Sequence, residues 1–567
     1  MKGYCTVPDP ALSVVCGISL EDEPGLGPLT LPGFLREVTD RHGPREAIVQ
    51  PRPDGTVERW TYDEFWSRSL DVARALVACG VGKESRVGVL MTNRAEFLSS
   101  VFGIELAGGV AALLSTFSTA AELEYLIAKT ACSVLLFEPQ VLNKDFAAIL
   151  CELEPGMQDA PAGELASLKF PFLRRVVALD TDASDGAIEP WNDFIARGEK
   201  VSEEQISARA AGVAPADPAV LMHSSGTTGR PKCILNGQRG VSIQLWRWPR
   251  IFGIEDSPRV WCANGLFWSA SFGMFIGSAL ATGGTMVMQA TFDPEEALAL
   301  FEAEKVTQAL GWPHQWAQFG DAANYHDVDI SSLHYIAADN PVSNHPTVDT
   351  DWAEPTRIYG NTETFTLSSA YVSGTSEEVL QGAWGFPLPG MTIKVVDPFT
   401  GETMPVGERG EIAVKGATLM LGYVGVPLDE TLDEEGYFRT GDGGYADGEG
   451  RLFWEGRLND IIKTGGANVS PVEIDSLLIH YPGVKIVQTI GIPDDLLGEL
   501  VVSCIAPHEG VVLDLEAIRA FAKERLASFK VPRRLIVLDD ADFNQTGSAK
   551  VKTEDLRKLV EQRLDEA

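Results

Sequence analysis

Between Ser224 and Lys232 the chain reads SSGTTGRPK, with two glycines, four hydroxyl residues and a terminal cation. Small residues let backbone N–H groups close on an anion, and hydroxyls and a lysine add side-chain donors, so this composition suits phosphate. It is not a Walker loop. That pattern needs G-x-x-x-x-G-K-[ST], whereas Gly226 and Gly229 stand too close together and Lys232 is followed by Cys233. Four further stretches carry groups suited to chemistry: YGNTET (359–364), YFRTGD (437–442), GRLNDIIKTGGANVSPVEI (456–474) and NQTGSAK (544–550).

The totals bound what these groups serve. A chain of 567 residues exceeds one compact core, so at least two domains are expected. With 46 Lys and Arg against 80 Asp and Glu, the net charge is −34, which repels nucleic acid and anionic membranes. An anionic ligand must therefore be held by local donors against the overall field. Eight dispersed cysteines with no C-x-x-C pair argue against a zinc site or a disulfide framework, and point to reduced thiols in a cytoplasmic protein. The N-terminus shows no signal-peptide pattern, and the apolar region 101–114 is too short to span a bilayer. A peripheral membrane contact through an apolar substrate entrance stays open, as does the choice between monomer and homodimer.

Alternating elements must carry the motifs. From Arg86 an apolar run, a helical pattern and a second apolar run read as a βαβ unit, and Thr285 to Gly311 reads as another. In the second, Asp293 is the expected N-cap, Pro294 the first helical residue and Glu296 the completion of a capping box. Apolar runs 219–222, 176–179 and 333–337 add buried strands. The fold class is α/β, with largely parallel sheets in a large N-terminal domain of layered subdomains. After about Gly382 hairpins are expected, with turns at Thr400-Gly401 and Asp447-Gly448. Beyond the GRLND stretch the pattern is a small α+β domain, in which Ser470, Pro471 and Glu473 form a capping box, residues 515–522 a helix and residues 535–538 a strand. The expected division is 1–458 and 459–567.

In this order and spacing the five motifs resemble those of the adenylate-forming superfamily of acyl-CoA synthetases, luciferases and peptide-synthetase adenylation domains, over nearly the whole chain. The resemblance implies a mobile C-terminal domain, with ATP, Mg²⁺ and CoA as co-substrates and ligands. A carboxylate attacks the α-phosphorus of ATP and pyrophosphate leaves, so the protein's task is positioning and charge stabilisation. It implies that Ser224, Ser225, Gly226, Thr227, Thr228, Gly229 and Lys232 hold the departing phosphates, and that Glu363 binds Mg²⁺ as a hard cation suited to carboxylate. Tyr359 would stack on adenine, Gly360, Asn361 and Thr362 would line the nucleotide, and Ala338 and Asp339 would lie beside it. Asp442 would offer two acceptor oxygens to the ribose hydroxyls, with Arg457 as a second contact. Lys550 would be the catalytic lysine alongside Glu363 and Thr228. Asn459 would be the hinge, and Lys463, Gly465 and Gly466 would lie on the CoA side.

The chain departs from the family pattern at several positions. Cys233 replaces a usual Gly, Asn459 stands where Asp or Lys is common, Asn544 and Ala549 replace Pro and Gly around Lys550, and AADNPVS (337–343) stands for GGAPLS. The acyl pocket is expected at Trp268, Phe272, Trp312 and Ala337. Trp268 occupies the position where amino-acid-activating relatives place an Asp, which favours an uncharged acyl tail. The function expected is an AMP-forming acid:CoA ligase acting on a hydrophobic acid, whether fatty, aromatic or alicyclic. Two alternatives remain at this level: a stand-alone adenylation enzyme loading a carrier protein, and a nucleotide-binding relative that has lost catalysis.

Overall fold

The computed structural model describes residues 11–224, 231–255, 257–355, 357–458, 460, 462–464, 467–494, 497–526, 530–543 and 553–565. Two sheets with parallel cores dominate the N-terminal part. The larger runs in the order Ile188–Pro190, Arg175–Ala178, Val134–Phe137, Arg86–Leu90, Val110–Leu113, Pro218–Ser224, Lys232–Gly237 and Gly422–Tyr423. Its first six strands are parallel and the last two antiparallel. The second runs Gln308–Leu310, Arg259–Cys262, Thr285–Val287, Glu46–Pro51 and Val57–Thr61, with only the final pair antiparallel.

Both expected βαβ units are present. The first joins neighbouring parallel strands through the helix Ala95–Leu106. That helix is buried on nearly every side, which is why its apolar residues go all the way round rather than forming one stripe. In the second, the helix Pro294–Glu304 crosses over Arg259–Cys262, which lies between the two strands it connects. Asp293 caps this helix by accepting from the Glu296 N–H at 2.9 Å, so the Asp293 half of the expected capping box forms. One core, containing Phe34, Phe65, Phe97, Phe102, Leu245, Phe272 and Phe275, is shared by several helices, among them Tyr62–Ala78, Ala95–Leu106 and Ser269–Leu280.

A wholly antiparallel sheet follows, in the order Val14–Cys16, Met391–Val396, Gly410–Gly416, Phe438–Ala446, Leu452–Arg457. The turns at Gly401 and near Asp447 fall where expected, although in the second the left-handed residue is Gly450 (φ +84°) rather than Gly448. The C-terminal part forms its own sheet from Ala467–Val469, Ile462–Thr464, Gly498–Pro507 and Val484–Asp494, with Arg534–Val537 parallel to Gly498–Pro507. The helix Leu515–Arg525 packs on it through Ile518 and Ala522, as its spacing predicts.

Two expectations fail for tertiary reasons. The capping box at Ser470 does not form: the hydroxyl donates to the Glu455 carbonyl, and Glu473 pairs with Lys530 at 2.6 Å. Long-range partners displaced the local reciprocal bonds. Residues 333–337 do not form a strand; Tyr335 makes a single parallel bridge to Gln308, while Leu333 and Ile336 are buried. An apolar run reports burial, and here burial came without a ladder.

Glu105 gives a testable consequence of this packing. It is fully buried between the helices, its Oε2 accepts from Gln238 Nε2, and its Oε1 has no partner among the described residues. Burial pushes its carboxyl well above the ordinary range, so it is neutral in the fold. The sign follows from linkage. Stability is complete below the ordinary carboxylate value and is lost as pH rises toward the folded one, because only the unfolded chain ionises. Glu105→Gln should remove this loss, so its thermal midpoint relative to wild type should climb as pH rises above the ordinary carboxylate value. A difference that stays constant with pH would show the carboxyl already ionised in the fold.

Candidate active site

The strands Pro218–Ser224 and Lys232–Gly237 are an antiparallel hairpin in which Ser224 lies opposite Lys232. The stretch SSGTTGRPK is therefore the closed connection of a hairpin at the sheet's end; Ser225, Gly226, Thr227, Thr228 and Gly229 themselves lie outside the described residues. The next strand, Gly422–Tyr423, pairs with Ile234 and Leu235, which sets Tyr423 beside the base of the loop. The Lys232 ammonium stands 4.9 Å from the Tyr423 ring centroid.

Glu363 meets them from the other side. It sits on the short 3₁₀ turn Thr362–Thr364, capped by the Asn361 side chain, and its carbonyl accepts from Met420 N–H at 2.7 Å. Its Oε1 accepts from Tyr423 Oη at 2.7 Å. Burial and the Glu363 charge push the Tyr423 phenol upward, so it stays a proton donor to the carboxylate. Thr362 Oγ1 lies 3.5 Å from Ser269 Oγ, at the start of the helix Ser269–Leu280, and Trp268 is the N-cap of that helix. Gly360 is exposed beside this turn.

A second cluster centres on Asp442, in the strand Phe438–Ala446. Its Oδ2 accepts from Tyr359 Oη at 2.9 Å and its Oδ1 lies 3.1 Å from Arg457 Nε, the cross-strand partner at the same register. Arg457 also donates to Thr440 O at 2.6 Å. Tyr359 is only 4% exposed, its ring packed with Ile234, Ile393 and Ile412, so little of it is left open for the stacking expected of it. Burial and the Asp442 charge push its phenol well above the ordinary range.

The acyl-side expectations divide. Trp268 is half-buried and Trp312 is exposed at the N-cap of Pro313–Phe319. Ala337 is 9% exposed, followed by the exposed Ala338 and Asp339. Phe272 is not a pocket residue in this structure: it is fully buried and packs edge-on against Phe365 at 6.0 Å, because its helix turns that face into the main core. Lys463 is exposed in the strand Ile462–Thr464. Asn459, Gly465, Gly466 and Lys550 lie outside the described residues, as do Asn544 and Ala549.

Sequence reading missed Tyr423 and His223. Tyr423 lies in a two-residue strand, too short to carry a period. His223 precedes the loop, is buried, and meets Leu113 O through Nδ1 at 2.9 Å. Burial pushes its imidazole down to about 4, so it is neutral and braces the hairpin against Val110–Leu113. Cys233, the departure beside Lys232, faces His223 in register and is 2% exposed; burial pushes its thiol up to about 11, making it a packing group. Among the described residues all seven cysteines are free, no group of three or more His, Cys, Asp and Glu could hold a metal, and no helix is long and apolar enough to cross a membrane.

The base of a Gly/Ser/Thr-rich hairpin loop, a buried carboxylate and an aspartate–arginine pair on the adjoining sheet thus lie on the motifs that resemble those of adenylate-forming enzymes. The chain belongs to the AMP-binding enzyme family: residues 35–424 match the family and residues 473–550 match its C-terminal domain. It is 30% identical over 528 residues to the 3-[(3aS,4S,7aS)-7a-methyl-1,5-dioxo-octahydro-1H-inden-4-yl]propanoyl:CoA ligase of Mycobacterium tuberculosis, covering 91% of this chain and 97% of that one. It is 27% identical over 573 residues to the mitochondrial medium-chain acyl-CoA ligase ACSF2 of Danio rerio, covering 99% and 92%. Among solved structures, the anthranilate CoA ligase AuaEII in complex with anthranoyl-AMP superposes with a TM-score of 0.77 at 22% identity, covering 96% of this chain and 99% of that one; this likeness bears on the fold, a large N-terminal and a small C-terminal domain.

Proposed function

We propose that this chain is an AMP-forming acid:CoA ligase, joining an apolar carboxylic acid to CoA through an acyl-adenylate. The observation that carries the reading is the convergence of Glu363 and Lys232 on Tyr423 at the mouth of the hairpin loop. Curated relatives named as CoA ligases over nearly their full length support the choice of CoA over a carrier protein.

In this reading the loop amides and hydroxyls and Lys232 hold the β- and γ-phosphates, while Asp442 and Arg457 hold the ribose. Glu363, its orientation set by Tyr423, suits Mg²⁺: a single carboxylate fits a cation that takes its other ligands from phosphate and water. Bound there, Mg²⁺ would neutralise charge on the departing pyrophosphate. Lys550 brings a cation to the α-phosphate for adenylation. Rotation about Asn459 then exchanges it for the face carrying Lys463, Gly465 and Gly466, where CoA's thiol displaces AMP. We place the boundary between the domains at residues 458 and 459. The free thiols fit a cytoplasmic enzyme.

The half-buried Trp268 beside Ser269 makes the acyl side apolar, so apolar acids should be activated far better than acetate or glycine. Each buried CH₂ adds up to about 0.8 kcal/mol, which across several carbons is orders of magnitude in kcat/KM. ATP-dependent pyrophosphate release measured across a panel of acids tests this, with CoA consumption read alongside. Equal rates with acetate and decanoate would sink the apolar assignment, and release without any CoA ester would move the chain to another acceptor.

A further inference from the structure

We propose that Phe117 is a specificity-determining residue of the acyl site, an aromatic wall at its mouth that selects bulky apolar tails. The proposal rests on the acid:CoA ligase reading and names the side of the acid that the ligase selects.

Phe117 follows the strand Val110–Leu113, at the end of the sheet where the hairpin loop also emerges, and is 56% exposed. An exposed phenylalanine usually sits on a loosely held loop. This one is fixed from three directions. Lys144 Nζ donates to both Thr116 O and Ser118 O at 3.0 Å, the two carbonyls that flank it. Its own N–H donates to Ser115 Oγ at 3.1 Å. Its ring stands edge-on to Phe267, with centroids 5.8 Å apart at 77°.

Phe267 is fixed in turn. Its ring folds over Gly265 so closely that a Cβ there would lie 2.3 Å from it, so a side chain at 265 would push the ring from its place. Asn93, at the end of the strand Arg86–Leu90, clamps the same loop: Nδ2 donates to Asn264 O at 2.8 Å and to Cys262 O at 3.3 Å, and Oδ1 accepts from Leu266 N–H at 3.0 Å. Phe267 then meets Trp268 at 5.2 Å, and the next residue, Ser269, approaches Thr362 beside Glu363. A continuous row of rings therefore runs from the carboxylate-activating end out to solvent, and Phe117 is its outermost member. A tail long or wide enough to pass Trp268 reaches Phe117, whereas a short acid ends before it.

The test uses the full chain as wild type, Phe117→Ala and Phe117→Leu, with butanoate, decanoate and 3-cyclohexylpropanoate as probes. In pyrophosphate release, Phe117→Ala should raise KM for the two bulky acids about tenfold or more, with Phe117→Leu in between, while KM for ATP and for butanoate stays at the wild-type value. Loss of all three acids in equal measure, or no change in any, overturns the proposal. So does a change confined to oligomeric state in light scattering, which would mean that a second copy covers the ring. If wild type activates no acid, the ligase reading itself has failed. Quenching of tryptophan fluorescence by decanoate then decides the role of Phe117: weaker quenching in Phe117→Ala supports it and equal quenching overturns it.

Discussion

Replacing Glu363 by Gln should slow pyrophosphate release by on the order of 10²–10³-fold while leaving the chain folded, because the change removes a full negative charge at almost constant volume. Glu363 is 9% exposed, and Tyr423 Oη, which donates to its carboxylate, is neutral and cannot compensate the charge. A glutamine still accepts from Tyr423, so the turn Thr362–Thr364 and its Met420 bond stay in place. What is lost is the anionic ligand for a divalent cation, so the rate should also respond more weakly to added Mg²⁺. Initial rates over a Mg²⁺ titration, with circular dichroism as the folding control, make the comparison. An unchanged rate and unchanged Mg²⁺ response would remove Glu363 from the metal and phosphate chemistry.

The second large effect concerns Asp442, and two variants separate its duties. Asp442→Ala takes the acceptor from a buried phenol and the counter-charge from Arg457 in one step. Leaving the Tyr359 hydroxyl proton without its acceptor costs about 1–3 kcal/mol of stability. Losing a charged acceptor for ribose hydroxyls costs about 1.5–3 kcal/mol of binding, roughly a ten- to hundredfold rise in KM for ATP. Asp442→Asn keeps an acceptor for Tyr359, so it should hold thermal stability near wild type and still raise KM for ATP. Differential scanning fluorimetry and ATP titrations on both variants are the measurements. If Asp442→Ala lowers stability but leaves KM for ATP untouched, the aspartate only supports Tyr359 and does not hold ribose.

These two clusters also mark how far the chain could be read without coordinates. Glu363, Asp442 and Arg457 stand out in the sequence because each lies in a short local motif, and a motif survives in one dimension; the contacts they make are tertiary. The βαβ units were visible for a similar reason: strands Arg86–Leu90 and Val110–Leu113 and the helix between them are local, and burial writes itself into a run of apolar residues. The same signal failed at residues 333–337, where apolar character meant burial against the core and nothing about pairing. It failed again at Phe272, since an aromatic residue on the helix Ser269–Leu280 can face a pocket or the core, and only the neighbouring Phe365 decides which. Ser470 had every local mark of a capping box, yet the Glu455 carbonyl took its hydroxyl, because a long-range partner competes for the same donor. By itself the sequence determined the family and the α/β order of the elements. Tertiary structure alone decided that Tyr423 orients Glu363, that Tyr359 holds Asp442 and that Asn93 pins the loop ahead of Trp268. Each of those bonds joins residues 60 or more positions apart. No spacing rule operates at that range; which side chains meet there is set by sheet order and helix packing.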